Sequence, residues 1–135
     1  MTRKFGLSLA AYVVPTFPLG YFWHLVTFHE AYERLHIYRD DILIPLGLAS
    51  MLIQAGAYAW LYPRLFDTRR DGWLHSTLRF AAIFGAFQWS LTVLPVAAKH
   101  VMASVPDFMM LETAFTVLQF AVVAPLIALA NRDTA

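Results

Sequence analysis

Between Leu19 and Asp41 the chain reads LGYFWHLVTFHEAYERLHIYRDD, its densest run of ionisable side chains. Here lie three of the five histidines, His24, His29 and His36, with Glu30, Glu33, Asp40 and Asp41. If the helix carrying this run continues to His36, then His29, Glu33 and His36 follow i, i+4, i+7 and share one face. Glu33-Arg34-Leu35-His36 is then an E-x-x-H step, the spacing that sets a carboxylate beside an imidazole in the metal sites of helical bundles. Such ligands suit Zn, Fe or Mn. A di-iron centre needs a second E-x-x-H and two further carboxylates, which one chain lacks unless a dimer brings them. The alternative is a solvated interfacial helix in which Glu30 pairs with Arg34 and Glu33 with Arg34 or His36.

A second set comes from depth. At ~1.5 Å of rise per residue, His24, His100 and Glu112 all fall within about two turns of one membrane boundary. They are expected to share a polar pocket there, because ionisable groups at that depth are functional by default. Gln54, Gln88 and Gln119 lie near the middle of three different spans. An amide in hydrocarbon needs partners, so these three are expected to face the interior, either as structural glue or as the lining of a ligand path. His75, beside Trp73, reads as an interfacial residue.

The elements that must hold these residues follow from composition. The 135 residues are 59% hydrophobic and 14% charged, and the mean hydropathy of +0.56 is that of a polytopic membrane protein rather than a soluble domain. Apolar spans run over about 5–28, 42–62, 74–98 and 108–130, each near the ~20 residues that cross a bilayer. The expected fold is all-α: an antiparallel four-helix transmembrane bundle forming a single domain over 1–135. Continuous rather than alternating hydrophobicity excludes a membrane β-barrel. The first span follows Arg3 and Lys4 like a signal peptide but is too long for one, and reads as a retained signal-anchor helix.

Arg3, Lys4, Arg64, Arg69, Arg70, Arg79 and Arg132 fall on one side of the spans, and only Arg34, Arg39 and Lys99 on the other. Seven against three puts both termini in the cytoplasm. Trp23, Tyr32 and Tyr38 are expected to anchor the outer interface, and Trp60, Tyr62 and Trp73 the inner one, with Trp89 a packing residue inside the third span. Pro15 and Pro18 predict a bend in the first span. Ala81 and Gly85, Ala82 and Ala86, and Ala124 and Ala128 have the spacing of close helix contacts.

With no cysteine, thiolate metal sites, disulfides and thiol nucleophiles are ruled out. A net charge of +1 suggests no nucleic-acid partner. Phosphate-binding glycine loops, G-x-S-x-G elbows and H-E-x-x-H zinc motifs do not occur: His29-Glu30 begins the last, but Glu33 stands where its second histidine belongs.

The Leu19-Gly20-Tyr21-Phe22-Trp23 segment, the four short helices and Glu112 opening the last of them in MMLETAF together resemble small uncharacterised bacterial inner-membrane proteins of four helices. The resemblance is one of layout over the whole chain. It implies a bacterial inner-membrane setting and carries no activity or site.

Three functions are compatible with these residues. The first is binding or transport of a small ligand or cation in an outward-facing pocket of histidine and carboxylate. The second is an accessory subunit of a larger membrane complex, and the third a metal-dependent membrane enzyme. The expected partners are the lipid bilayer and either a second copy of the chain, as a homodimer, or a larger complex.

Overall fold

The structure, a computed structural model, describes residues 3–133. It is all-helical. Helix α1 (Arg3–Phe22) passes into a single π-helical turn (Trp23–Thr27), followed by short α2 (His29–Leu35), α3 (Ile44–Leu65), α4 (Trp73–Lys99) and α5 (Val105–Asn131). Among the described residues four helical runs are long and apolar enough to cross a membrane: Arg3–Thr27, Ile44–Leu65, Trp73–Lys99 and Val105–Asn131.

Local chemistry sets the starts of α5 and α3. Ser104 caps α5 by accepting from the backbone N–H of Asp107 at 3.3 Å, and Pro106 occupies the first turn, where its missing N–H costs nothing. The helix therefore starts a few residues before the apolar run does. Pro45 opens α3 in the same way. Both Pro15 and Pro18 lie inside α1. The helical run widens only after them, where the Phe28 N–H reaches back five residues to the Trp23 carbonyl at 3.0 Å.

Helix α1 packs against α3 and α5, and α4 against α5. One core cluster joins Tyr12, Tyr58, Tyr62, Phe66, Phe80 and Phe120 with Val123, Ala124 and Ile127. Most of its rings meet edge-on or tilted, as Tyr58 and Phe80 do with centroids 5.4 Å apart, while Tyr62 and Phe66 stack; such pairs contribute ~0.5–1.5 kcal/mol each beyond area burial. At Gly85 an added Cβ would stand 3.4 Å from the Phe120 ring, in ordinary van der Waals contact, so α4 and α5 lie close together there. A second cluster gathers Tyr32, Leu35, Val93 and Phe108 at the other end, against Trp23, Phe28 and Trp89. Trp89 also donates its indole N–H to Thr113 Oγ1 at 2.8 Å, linking α4 to α5.

The first turns of α1 meet the residues that follow α5. The Asp133 carboxylate accepts from Lys4 Nζ at 2.6 Å and from Thr68 Oγ1 at 2.9 Å, while its backbone N–H donates to the Thr68 carbonyl at 2.9 Å. This clamp ties α1, the α3–α4 connection and the end of α5 together. Buried Asn131 adds a bond to Ser8 Oγ at 2.7 Å.

The Lys4 and Thr68 bonds hold the Asp133 carboxyl below its ordinary range. A depressed folded-state value means stability that is present above the unfolded value and lost as pH falls through the folded one. Asp133→Asn is therefore expected to melt slightly below wild type at neutral pH, with the gap closing as the pH falls below about 4. A thermal-unfolding series in detergent against pH checks this, and a gap independent of pH would refute it.

Candidate functional site

A polar layer crosses the middle of the molecule, and its centre is Tyr12, a residue the sequence reading passed over. The Tyr12 hydroxyl donates to Gln54 Oε1 and accepts from Gln119 Nε2 at 3.0 Å. Gln119 Oε1 accepts from Gln88 Nε2 at 3.1 Å, and Gln88 Oε1 from the Tyr58 hydroxyl at 2.9 Å. Gln54 Nε2 donates onward to Ser50 Oγ at 3.1 Å. The three glutamines thus belong to one network, but only Gln88 and Gln119 touch directly. Gln54 joins them through Tyr12. Tyr12 is fully buried in an apolar helix and needs a partner for its hydroxyl, which is the signal that would have found it.

Toward the far end of α1 lies an ionisable pair. His24 sits in the π-helical turn, and its Nε2 faces Glu112 Oε1 of α5 at 3.2 Å, both side chains being about four-fifths buried. Its Nδ1 lies 2.9 Å from the Gly20 carbonyl. A carbonyl can only accept, so Nδ1 carries a proton. Nε2 faces a carboxylate oxygen, so the pair holds one proton more, on the imidazole as an ion pair or on Glu112 as a hydrogen-bonded acid.

Tyr32 completes this group. Expected as an interface anchor, it is instead fully buried, and its hydroxyl donates to the same Glu112 oxygen at 2.6 Å. Helix α2 lies outside the four spans and folds back so that Tyr32 reaches the end of α5. Burial first, then the Glu112 charge, push the Tyr32 phenol well above its ordinary value, so it remains a donor. Trp23, a second expected anchor, donates to the Tyr32 hydroxyl at 3.3 Å and packs on Phe28 and Phe115. Tyr38 stacks on Tyr32 with centroids 5.0 Å apart.

His24 and the glutamine layer face one cavity of about 590 Å³, within the ~300–1,000 Å³ range of small-molecule sites. Tyr12, Thr16 and Gly20 of α1 and Gly47, Met51 and Gln54 of α3 form its sides. The 37–43 connection roofs it, with Arg39 at the rim, and Gln88, Phe115 and Gln119 close the back. Several lining residues, Phe17, Tyr21, Ile44 and Leu48, are exposed, so the cavity is open rather than sealed.

The other expected residues stand apart. His100 is exposed at the end of α4, where its backbone N–H caps the Val96 carbonyl at 2.9 Å, and it does not line the cavity. His29 and Glu33 pair at 3.1 Å on the exposed face of α2. The expectation that His36 shares that face is corrected: α2 ends at Leu35, and His36 turns left-handed at φ 57°, its N–H spent on the Glu33 carbonyl. A residue in that conformation leaves the helical phase, so i+7 no longer points along the face. Among the described residues no three histidine, aspartate or glutamate side chains come together as a metal site.

Comparison with protein-family models, curated proteins and solved structures finds no match. The site therefore rests on its own geometry.

Because His24 and Glu112 satisfy each other, their removal is expected to be non-additive. A cycle of His24→Ala, Glu112→Ala and the double variant, read by unfolding in detergent, should give a coupling of about 0.5–3 kcal/mol. Additive losses would mean that the two groups do not interact.

Proposed function

We propose that the chain is a multi-pass protein of a bacterial inner membrane, folded as an antiparallel four-helix bundle with both termini in the cytoplasm. Its outward-facing cavity binds or carries a small ligand. The cavity itself carries this reading: about 590 Å³, apolar walls, a few convergent polar groups, and His24, paired with Glu112, at one side. That combination is what small-molecule sites share.

The orientation is supported by the basic residues. Lys4, Thr68 and Asp133 meet at one end of the molecule, where most of the arginines also gather, and the positive-inside rule makes that end cytoplasmic. His24, Glu112 and Arg39 then lie toward the outside. The residues that line the cavity all come from one copy of the chain. The metal-enzyme alternative loses support because its three ligands do not converge, and His29 and Glu33 alone are an ordinary exposed pair.

Two measurements test the proposal. Reporter fusions after Ala135 and within the 67–72 connection should both read cytoplasmic and one at Asp40 external; an external C-terminal reporter overturns the orientation. For the cavity, Gly47 offers a clean block, since nothing lies within 4 Å of an added Cβ there. Native mass spectrometry of the full chain should find a bound small molecule of defined mass on wild type and none on Gly47→Phe. Identical spectra for the two proteins would refute the binding reading.

A further inference from the structure

Of the aspartate, glutamate, lysine and arginine side chains in the four membrane-length runs, only Arg79 of α4 and Glu112 of α5 lie more than one turn, about 3.6 residues, from either end. Charges at such depth almost always turn inward and pair. Glu112 does so, receiving Tyr32 and His24. Arg79 does not: it is exposed, and among the described residues it takes part in no ion pair.

The surface around Arg79 has two parts. His75, Arg79, Ala82 and Ala86 follow i, i+4, i+7, i+11 along α4 and are all exposed, so they form one outward face. Leu78 and Ile83 flank it, 62% and 52% exposed. The face is therefore apolar toward the middle of the span and basic toward its start at Trp73. Side chains on a helix lean toward its N-terminus, so the guanidinium of Arg79 reaches back toward the level of His75 and Trp73, where an interface lies. A second copy of the chain packed on this face about a two-fold axis would set one Arg79 against the other. Two carboxylates at this end of the molecule are also already taken, Asp67 by Arg69 at 2.8 Å and Asp133 by Lys4 at 2.6 Å.

We infer that this face of α4 holds an anionic phospholipid. Its phosphate is gripped by the Arg79 guanidinium, whose paired N–H groups match two phosphate oxygens, and the His75 ring adds a hydrogen bond. One acyl chain lies along Ala82 and Ala86, between Leu78 and Ile83. A headgroup of net negative charge complements Arg79, whereas a zwitterionic one brings its own cation beside the guanidinium. The inference rests on the chain spanning a membrane, as proposed above, and not on the cavity being a binding site.

The test titrates phosphatidylglycerol and phosphatidylcholine with the same acyl chains onto the full chain in detergent, with bound states counted by native mass spectrometry. The first phosphatidylglycerol is expected to bind about fivefold or more tightly than the first phosphatidylcholine, the scale of one basic side chain facing an anionic lipid. Arg79→Gln should abolish that preference while melting with wild type, since no partner within the protein is lost, and Arg79→Lys should retain it in part. Arg64→Gln is the control. That arginine belongs to the same end, but it is held over the Trp60 ring at 4.1 Å and donates to the Trp60 carbonyl, so its loss should leave the preference intact. Gly47→Phe, which fills the cavity, should leave it intact as well. Equal binding of the two lipids by wild type, a preference kept by Arg79→Gln, or one lost as fully in Arg64→Gln overturns the inference. Loss of the lipid in Gly47→Phe also overturns it, by placing the lipid in the cavity, and so does a dimer that depends on Arg79 and binds no lipid. Extraction of the chain from membranes by alkaline carbonate would overturn the membrane reading itself; a carbonate-resistant chain without the preference refutes this inference alone.

Discussion

The fold turns on the hydroxyl of Tyr12. In hydrocarbon a polar side chain finds no water, so each amide or hydroxyl must be satisfied by another helix or drive the helices apart. Tyr12 of α1 donates to Gln54 of α3 and accepts from Gln119 of α5, and Gln119 passes the network to Gln88 of α4. One oxygen thereby sets the register of all four long helices. Apolar contacts between lipid-like surfaces would allow many sliding arrangements; this network fits only one.

On either side of that layer the two ends are built differently. At one, Lys4, Thr68 and Asp133 form an exposed clamp, worth little in energy because water competes for it. At the other, Glu112 is largely enclosed and receives Tyr32 and His24 on a single oxygen. The π-helical turn makes this possible. Its extra residue per turn shifts the phase of the chain after Phe22 and aims His24 at α5 while sending α2 back over the helix ends.

The cavity lies between the polar layer and the Glu112 group, and takes a different character from each. Its inner wall is uncharged and largely satisfied, apart from Thr16. Its rim carries charges already balanced in pairs. The result is a space with hydrogen-bonding groups along one wall and paired charges at its rim.

Much of this was legible in the residues. Four apolar runs of spanning length dictate four helices, because backbone groups in lipid have no other way to be satisfied. Glutamines at mid-span require partners, and matched depth brings His24 toward Glu112. What depth cannot supply is direction around the helix axis. His100 follows the end of α4 at Lys99, is exposed and does not line the cavity. The left-handed backbone of His36 takes it off the face its spacing predicts. Tyrosines favour interfaces, yet the fold-back of α2 buries Tyr32. Sequence periodicity reports composition along an axis; the rotation of each helix, the π-helical turn and the unpaired Thr16 depend on side chains far apart in the chain meeting in space, and only the tertiary structure decides them.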